Sequence, residues 1–546
     1  MKKLKLLIVS ALVFALAAGC SSKSAGNGGT EGGDAATGGN TKVVVATDTD
    51  LSTMDHHIAT DGTSFIAETL VFSGLTELDE NNMPIAEMAE KWDISEDGTV
   101  YTFHLADAKW SDGTPVTAND FVYGWQRLIN QETASEYAFI LSTITLKNAD
   151  AVAAGELPLE ELGVKALDDK TLEVTLDAPC DFLLGLLAFP SFFPLNQAYY
   201  ESQGDQYAKT PQNMIYNGPY VMTAWTPGNS YSFTKNNDYF KADTIDVTDI
   251  DFKFIQDTQS AMLEYQSGNL DVVKLSGEMV DAYKDQDGFT NRLQGYLWYL
   301  SLNFNIPELQ NQNLRKAMMY AIDRETIANN VLKDGSVAAD GIIPIELATG
   351  PDGKEYRDTA GKITEYDAAK AKEFYEKAKA ELGKDVTIDL LFEDTEAGKS
   401  VAEYIQNNLE TNCPGMTVTL NSKPKKTRLQ MMQNGEYQVA LHRWGPDYAD
   451  PQTYLDLFLI GASNNYGKYE SQAYQDLVIE ATQGESAKDS QARWDLLVQA
   501  EKVLVGDEAG VIPVYQNGGA MMITPTVSGI EFHSAGVDSY RHMIRK

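Results

Sequence analysis

In the first third of the chain, the spacing of apolar residues predicts strands and an amphipathic helix. Residues 43–46 form a short apolar run, and residues 101–105 alternate between apolar and polar, as in a half-buried strand. Thr117 stands three residues before Asp120, which resembles a capping box with Asp in place of Glu. The helix that this box begins carries one apolar face, made of Phe121, Trp125 and Leu128.

In the later half of the chain, helical and strand patterns alternate. Helices are predicted over 314–322, 367–383 and 401–409, and strands at 386–390, 418–420 and 437–441. This alternation favours an α/β fold, in which a sheet is joined by crossover helices. Ligands of such sheets bind beyond the carboxyl ends of the strands. Residues 442–451 (HRWGPDYADP) follow the last of these strands and are therefore candidate ligand-binding residues.

The N-terminus has the pattern of a signal peptide. Three lysines among the first five residues precede an apolar run at 6–18, which is too short to cross a bilayer. Small residues lead directly to Cys20, as in a bacterial lipobox, although Leu16 lies four places before the Cys instead of the usual three. We therefore predict that residues 1–19 are a signal peptide and that Cys20 is lipidated.

Residues 20–40 are predicted to be a flexible linker behind the lipid anchor, since 7 of the 20 residues after Cys20 are Gly. Two acyl chains on one Cys supply stable membrane attachment. The expected location is the extracytoplasmic face of the cell membrane, in a Gram-positive bacterium. The remaining cysteines, Cys180 and Cys413, are too few for a disulfide framework, and two buried thiols are favoured over one disulfide.

The charge of the chain excludes some partners. The chain has 43 Lys and Arg against 79 Asp and Glu, a formal net charge of -36. Because such a surface repels phosphate backbones and anionic lipids, no nucleic acid is expected as a partner. At 43% hydrophobic residues, the 546-residue chain can bury several cores.

Catalytic and cofactor motifs are incomplete. Residues 398–400 (GKS) resemble the end of a phosphate-binding loop, but Glu393 stands where its first Gly is required. His56 and His57 are adjacent, and in an extended segment such side chains point apart, which argues against a shared metal. We therefore expect no enzyme activity, no cofactor and no metal.

Several segments together resemble one family, the solute-binding proteins of peptide-importing ABC transporters, and within it the oligopeptide-binding lipoproteins. No single segment is decisive, but their order and spacing cover the chain from residue 43 to its C-terminus. They are residues 85–92 (IAEMAEKW), 109–123 (KWSDGTPVTANDFVY), 217–220 (NGPY), 268–271 (GNLD), 314–317 (LRKA) and 321–324 (AIDR).

The resemblance implies a fold and a function. The fold is α/β and two-lobed, of the periplasmic-binding-protein type (type II, cluster C), with an inserted domain and a two-segment hinge. The implied function is capture of extracellular oligopeptides between the lobes and delivery to a permease whose ATPases are separate chains, with the binding protein a monomer. The implied domains are lobe I at 41–72, 197–298 and 515–546, inserted domain II at 73–196, and domain III, or lobe II, at 299–514.

The resemblance also implies ligand-binding residues. When the loop is aligned on Trp444 and Pro451, Asp447 stands where the family has its amine-binding aspartate. Without the resemblance, the neighbouring residues alone would favour Asp447 as a solvated turn residue. Tyr137 matches a ligand-contacting tyrosine, and Gly62 lies in backbone that pairs with the peptide. Trp444 offers an apolar face to a ligand side chain, although it and Tyr137 are alternatively interlobe core residues.

The resemblance to the family is weaker at the residues that would bind the C-terminal carboxylate of the peptide. Some relatives carry an Arg three residues before the Trp, but Leu441 stands there, with His442 and Arg443 close by. The chain is therefore expected to accept ligands of variable length. The alternatives are a relative specialised for a signalling peptide or for a non-peptide solute such as a nickel chelate, and an adhesin or sensor that retains the fold.

Overall fold

The computed structural model describes residues 41–546. The predicted signal peptide at 1–19, Cys20 and the linker to residue 40 lie outside the described residues. Within residues 41–546, no helix is both long and apolar enough to cross a membrane.

The structure contains strands at all five predicted places, which are β1, β5, β15, β16 and β17 below, and further strands that were not predicted. In chain order they are β1 (Lys42–Thr47), β2 (Thr76–Leu78), β3 (Pro84–Ala86), β4 (Ala89–Ile94), β5 (Val100–Leu105), β6 (Val164–Asp168), β7 (Thr171–Thr175), β8 (Tyr220–Thr226), β9 (Ser230–Lys235), β10 (Asp249–Phe254), β11 (Val272–Lys274), β12 (Phe289–Thr290), β13 (Leu293–Leu302), β14 (Val337–Ala338), β15 (Thr387–Glu393), β16 (Thr417–Lys423), β17 (Val439–Trp444), β18 (Val511–Gly518), β19 (Met521–Ile523), β20 (Val527–Ser528) and β21 (Ile544–Arg545).

The α-helices lie between these strands. They are α1 (Gly62–Val71), α2 (Ala118–Ile129), α3 (Ile140–Thr143), α4 (Ala149–Ala153), α5 (Leu183–Leu186), α6 (Gln197–Gln203), α7 (Thr258–Gln266), α8 (Gly277–Tyr283), α9 (Gln312–Ala321), α10 (Arg324–Thr326), α11 (Tyr356–Ala360), α12 (Ala368–Leu382), α13 (Glu396–Asn412), α14 (Lys425–Gln433), α15 (Gln452–Leu455), α16 (Gln472–Gln483) and α17 (Ser490–Glu501).

Shorter turns of helix complete the chain. The 3-10 helices are Leu159–Glu161, Pro190–Phe192, Gly204–Gln206, Pro211–Asn213, Ala242–Thr244, Pro307–Gln310, Asp456–Phe458 and Glu485–Lys488, and π-helical turns occur at Ile327–Leu332 and Lys502–Asp507.

Three sheets organise the molecule. A seven-stranded sheet has the order β12-β19-β11-β1-β10-β9-β8, and a four-stranded antiparallel sheet, β4-β5-β7-β6, lies between residues 89 and 175. A six-stranded sheet has the order β14-β18-β13-β17-β15-β16. In it β15 runs parallel to both β16 and β17. The connection from β15 to β16 runs through α13, as predicted, and that from β16 to β17 runs through α14, a helix that was not predicted. The two-stranded sheets are β2-β3 and β20-β21.

The sheets divide into two lobes with separate cores. One core joins the seven-stranded and four-stranded sheets, which form the first lobe, and another fills the second lobe around the six-stranded sheet. The chain crosses between them after β12 and after β18, where the amide of Gly519 donates a hydrogen bond to the Arg292 carbonyl (2.7 Å). Sheet membership thus changes at 290–293 and 518–521, close to the predicted domain boundaries at 298 and 515, which remain predictions.

Local predictions can be compared directly with the elements. Thr117 and Asp120 form the predicted capping box of α2, and α12 runs from its Asp367 cap to Gly383, whose φ of +70° suits Gly. Cys180 and Cys413 are buried and unpaired, which confirms the favoured interpretation.

The prediction that His56 and His57 lie in an extended segment is wrong. His56 and His57 lie in a turn and not in an extended segment, and their ring centroids are 4.2 Å apart. Both are fully buried. The turn brings the rings together because the backbone there no longer alternates sides, as an extended strand does.

Candidate ligand-binding site

A cleft lies between the two lobes and contains about 1800 Å³ of empty space, part of it open to solvent. The first lobe contributes β1 with the loop behind it, the start of α1 and residues of the C-terminal segment. The second lobe contributes the start of α14, the end of β17 and the loop that follows. Most of the residues that line it lie within 45–49, 60–66, 292–296, 425–429, 442–447 and 533–540, although not every residue of these ranges faces the cleft.

Strand β17 brings Trp444 and Asp447 to this cleft. It pairs antiparallel with β13 and ends at Trp444, so that the turn through Gly445 delivers Asp447 beyond the strand. Gly445 is required by close approach, because a Cβ there would lie 2.4 Å from a ring carbon of Tyr296. The backbone amide of Asp447 donates to Thr453 Oγ1 (3.1 Å), which fixes the loop.

The Asp447 carboxyl is buried without a cation. It is 7% exposed, and burial raises its pKa to about 8, against the opposing effect of a hydrogen bond donated by the Tyr137 hydroxyl (3.3 Å). Within residues 41–546, no Lys, Arg or His forms a salt bridge with it. A buried carboxyl of this kind stays protonated near neutral pH and ionises when a cation is brought beside it.

Aromatic rings line the cleft beside this carboxyl. The Tyr137 ring lies nearly parallel to those of Trp444 (centroids 6.2 Å apart) and Phe189 (5.4 Å), and edge-on to that of Phe65 (5.4 Å). Trp444 packs against the cores of both lobes. Its indole Nε1 is buried and has no hydrogen-bond partner among the described residues. The rings lower the local polarity, and the indole offers one free donor.

Gly62 begins α1 at the opposite wall. A Cβ at this position would lie 2.6 Å from the Tyr296 hydroxyl, so that the site admits only glycine without displacing that ring. The preceding residue, Asp61, caps α1 by accepting hydrogen bonds from the amides of Thr63 (3.1 Å) and Ser64 (3.3 Å). Its carboxylate also pairs across the cleft with Lys425 Nζ (3.2 Å). Burial raises the pKa of Asp61, but Lys425 and the hydrogen bonds lower it more, so the carboxylate is charged.

His442 and Arg443 lie on successive positions of β17 and differ in what they can bind. His442 is buried, and its Nδ1 lies 2.8 Å from Arg428 Nη1. Burial and the two neighbouring arginines hold the pKa of His442 well below its usual range, so the ring is neutral and engaged. Arg443 lies over the rings of Trp298 (4.9 Å) and Tyr296 (5.6 Å), and its side chain keeps 28% exposure. Its Nη2 already lies 4.0 Å from the buried Glu393 carboxylate. Of the two, Arg443 is the partly exposed cation, and an incoming carboxylate would share it with Glu393.

The structure places all six predicted ligand-binding residues along this one cleft. Their roles remain predictions. Sequence reasoning missed the Asp61–Lys425 pair and Tyr296, which narrows the cleft beside Gly62 and Gly445. The sequence did contain one indication of a bulky neighbour such as Tyr296. Gly62 and Gly445 lie beside candidate ligand-binding residues, and a glycine in such a place indicates that another group approaches the backbone closely.

One group of side chains in the described part of the chain could hold a metal ion: Glu77, Glu531 and His542, whose ligand atoms lie within 4.8 Å of one another. His542 Nε2 already lies 2.6 Å from Glu77 Oε1, and Arg541 Nη1 lies 3.5 Å from Glu77 Oε2. Because an arginine beside this carboxylate opposes a second cation, we assign no metal to the group.

The chain is similar in sequence and in structure to bacterial solute-binding proteins. Residues 84–466 match the family model for bacterial extracellular solute-binding proteins, family 5 Middle. A dipeptide-binding protein of Lactococcus lactis is 32% identical over 507 residues, which cover 90% of this chain and 91% of that protein. The substrate-binding domain of an oligopeptide ABC transporter from Bacillus anthracis superposes with a TM-score of 0.89 at 37% identity, over 92% of this chain and 98% of that chain. OppA of Listeria monocytogenes bound to peptide gives 0.88 at 32% identity, over 93% and 99%.

Proposed function

Because this chain belongs to the bacterial extracellular solute-binding proteins of family 5, we propose that its cleft captures oligopeptides and delivers them to the permease of an ABC importer. The relatives named for dipeptide and oligopeptide binding support peptide as the solute. The importer's ATPases are separate chains, and the binding protein acts as a monomer held at the membrane by lipid on Cys20.

The observation that carries the proposal is the Asp447 carboxyl, buried at the end of β17 without a cation. A peptide α-ammonium supplies the missing charge and converts the acid into an ion pair. A hydrogen bond to a charged group contributes about 1.5–3 kcal/mol, which is roughly ten- to a hundredfold in affinity. The amine is common to all free peptides, so this contact selects peptides as a class without selecting their sequence.

The rest of the peptide is held by other walls of the cleft. The extended backbone of the peptide pairs with protein main chain near Gly62. This pairing satisfies the backbone donors and acceptors of the peptide whatever its side chains are. Trp444 and Tyr137 contact side chains near the amine. Arg443, over the rings of Tyr296 and Trp298, is the group that receives a carboxylate. Since peptides of different length bring their carboxylates to different places, Arg443 contributes to affinity for some lengths only.

The amine contact is tested by titration calorimetry with the same tripeptide, free and N-acetylated, on protein freed of bound ligand. Wild-type protein should bind the free peptide ten- to a hundredfold more tightly, and Asp447→Asn should lose most of that difference. Asp495→Asn is the control, because it removes a carboxylate at an exposed position of α17 away from the cleft. Equal affinity of wild-type protein for both peptides would overturn the assignment of Asp447.

The identity of the solute is tested by mass spectrometry of ligands released when the purified protein is denatured. A mixed pool of peptides is expected for nutrient capture. A single peptide would indicate a signalling receptor, bound nickel would indicate a metal-chelate carrier, and the absence of any small ligand would favour an adhesin or sensor. Mass spectrometry of the mature N-terminus would test the diacylglyceryl group on Cys20.

A further inference from the structure

A second, smaller space opens from the cleft beside Asp447. It lies between the inserted four-stranded domain and the C-terminal segment, and it has room for about three water molecules. Five residues line both the recess and the cleft, so the two spaces adjoin at Asp447: Phe189, Asp447, His533, Gly536 and Val537.

The polar side chains in the wall of this recess are already engaged with other protein groups. The hydroxyls of Thr69 and Thr76 donate to backbone carbonyls of Ile66 (2.8 Å) and Leu184 (2.7 Å). The ring nitrogens of His533 lie within hydrogen-bond distance of two further carbonyls, 2.7 and 3.2 Å away.

The two charged residues of the wall besides Asp447 are also engaged. Arg541 faces Glu77 at 3.5 Å and binds Glu87 at 2.6 Å, while Glu77 also accepts from His542. The Arg541 Nε is buried without a hydrogen-bond partner among the described residues, but the other charged atoms of this wall are paired. Satisfied groups gain nothing from a polar ligand that displaces their partners.

The remaining wall is apolar. Its side chains are Leu78, Ala188, Phe189, Pro190, Phe193 and Val537. At the mouth, the Asp447 carboxyl receives only the 3.3 Å hydrogen bond from Tyr137. The recess thus combines an apolar interior with one under-satisfied carboxyl at its entrance.

We propose that this recess binds the side chain of the first residue of the peptide and selects aliphatic side chains of about the size of Leu, Ile or Met. The first residue of a free peptide, when its side chain is apolar, carries both matching groups on its Cα: the α-ammonium and a hydrocarbon side chain. The proposal rests on the proposed function, since the ammonium at Asp447 is what brings the first side chain to the mouth.

Size and chemistry set the ranking of first residues. A Gly side chain leaves the recess unfilled, and a Trp side chain is too large for it. A charged side chain would exchange water for groups whose charges are already paired with one another. Burying a Leu side chain contributes enough to make Leu-Ala-Ala bind about ten- to a hundredfold more tightly than Gly-Ala-Ala. Asp-Ala-Ala and Trp-Ala-Ala should bind less tightly than Leu-Ala-Ala.

Gly185 provides a way to fill the recess from inside. It lies in α5 and lines the recess, and a Cβ added there would meet its nearest atom, Leu78 Cδ2, at an ordinary contact distance of 4.0 Å. Gly185→Leu should therefore occupy the space with little backbone strain. It should lower the affinity for Leu-Ala-Ala at least tenfold and remove most of its advantage over Gly-Ala-Ala, and Gly185→Ala should have a smaller effect of the same kind.

The experiment is calorimetry of ligand-free protein with the Xaa-Ala-Ala series, the Ala-Xaa-Ala series and acetyl-Leu-Ala-Ala. The matched control is Ala369→Leu, which adds the same side chain on the exposed start of α12 and should leave all affinities unchanged. If Gly185→Leu does not fold, Val537→Ala enlarges the recess instead and should raise the affinity for Trp-Ala-Ala relative to Leu-Ala-Ala.

The outcomes separate the two proposals. If acetylation weakens binding but Leu-Ala-Ala and Gly-Ala-Ala bind equally, the recess is not a side-chain site and the amine contact stands. If acetylation has no effect, the amine contact fails and the recess proposal fails with it. An equal loss of affinity for both peptides in Gly185→Leu also overturns the recess proposal, whereas a loss confined to the Leu peptide and to the first position supports it.

Discussion

At the scale of single residues, Asp447 makes peptide binding a proton-releasing reaction. Burial raises its pKa to about 8, so the empty cleft holds the acid form at pH 6–7. A bound ammonium stabilises the carboxylate, and the proton leaves. The affinity for free peptides should therefore rise with pH from 6 towards 8, by at most about tenfold per unit. Above pH 8 it should fall again, because the α-amine, with a pKa of about 7.7–8.0, loses its own proton.

Calorimetry at pH 6 and 7 in buffers of different ionisation enthalpy measures the protons released. Close to one proton per free peptide is expected at both pH values for the wild-type protein, and close to none for Asp447→Asn. The N-acetylated peptide should release none from either protein. Proton release that persists in Asp447→Asn would place the titrating group elsewhere in the cleft.

At the scale of elements, the start of α1 and the start of α14 are joined by one ion pair. Asp61 caps α1, and Lys425 is the first residue of α14 in the other lobe, 3.2 Å away. Both side chains are largely buried, at 4% and 16% exposure. Removing one partner of a buried pair leaves the other uncompensated, which costs more than the pair itself contributes.

Lys425→Met should therefore disfavour the closed arrangement and speed peptide dissociation about tenfold or more, measured by stopped-flow fluorescence. Asp61→Asn keeps a good N-cap for α1, so its effect reports the lost charge. The double variant should be less impaired than the sum of the two single variants. Lys426→Met, at the exposed neighbouring position, is the control and should dissociate at the wild-type rate.

The same scale shows what local patterns could predict. The capping box of α2, the bounds of α12 and the alternation β15–α13–β16 follow from residues within one or two turns of one another. The family resemblance and the two-lobed α/β fold predicted from the sequence are confirmed. The Asp61–Lys425 pair joins residues 364 positions apart, and no local pattern distinguishes Lys425 from other lysines. The turn at His56 was missed because two adjacent polar residues do not by themselves indicate a backbone direction.

At the scale of the whole molecule, the buried carboxylate of Glu87 binds side chains from distant parts of the first lobe. Glu87 is 1% exposed and accepts hydrogen bonds from Ser73 (2.7 Å), Tyr239 (2.6 Å), Lys241 (2.5 Å) and Arg541 (2.6 Å). Burial raises its pKa, but Arg541 and Lys241 lower it more, to about 2. The segment at 85–92 was recognised as a family motif, but sequence alone gave no indication that Arg541, 454 positions later, completes its contacts.

Glu87→Gln should lower the free energy of unfolding at pH 7 by up to about 3–5 kcal/mol, because it removes the nearer counter-ion of the buried Arg541 (2.6 Å) and leaves only Glu77, at 3.5 Å. Since the pKa of Glu87 is lower in the folded protein, its contribution is present above about pH 4.5 and is lost as the pH falls towards 2. The difference between wild-type and variant proteins should therefore shrink on acidification. Urea unfolding at pH 7, 4.5 and 3 measures it, with exposed Glu90→Gln as the control.

The two lobes also meet at the rim of the cleft, where Glu136 of the first lobe contacts three residues of the second. Its carboxylate accepts hydrogen bonds from Gln433 Nε2 (2.6 Å) and the Tyr466 hydroxyl (3.0 Å), and its carbonyl accepts one from Ser463 Oγ (3.2 Å). Opening about the crossings beside Arg292 and Gly519 must break these bonds before a peptide can leave. Glu136 next to Tyr137 therefore links closure of the rim to occupancy of the Asp447 site.

Glu136→Ala should raise the dissociation rate about tenfold and change the association rate little, because the bonds form only after the peptide has entered. Glu132→Ala, at an exposed position of the same loop, should leave both rates unchanged. Small-angle scattering should show wild-type protein becoming more compact on adding peptide, and Glu136→Ala requiring more peptide for the same change. If Glu136→Ala slowed association and left dissociation unchanged, the rim contacts would form before entry, and closure would precede binding instead of following it.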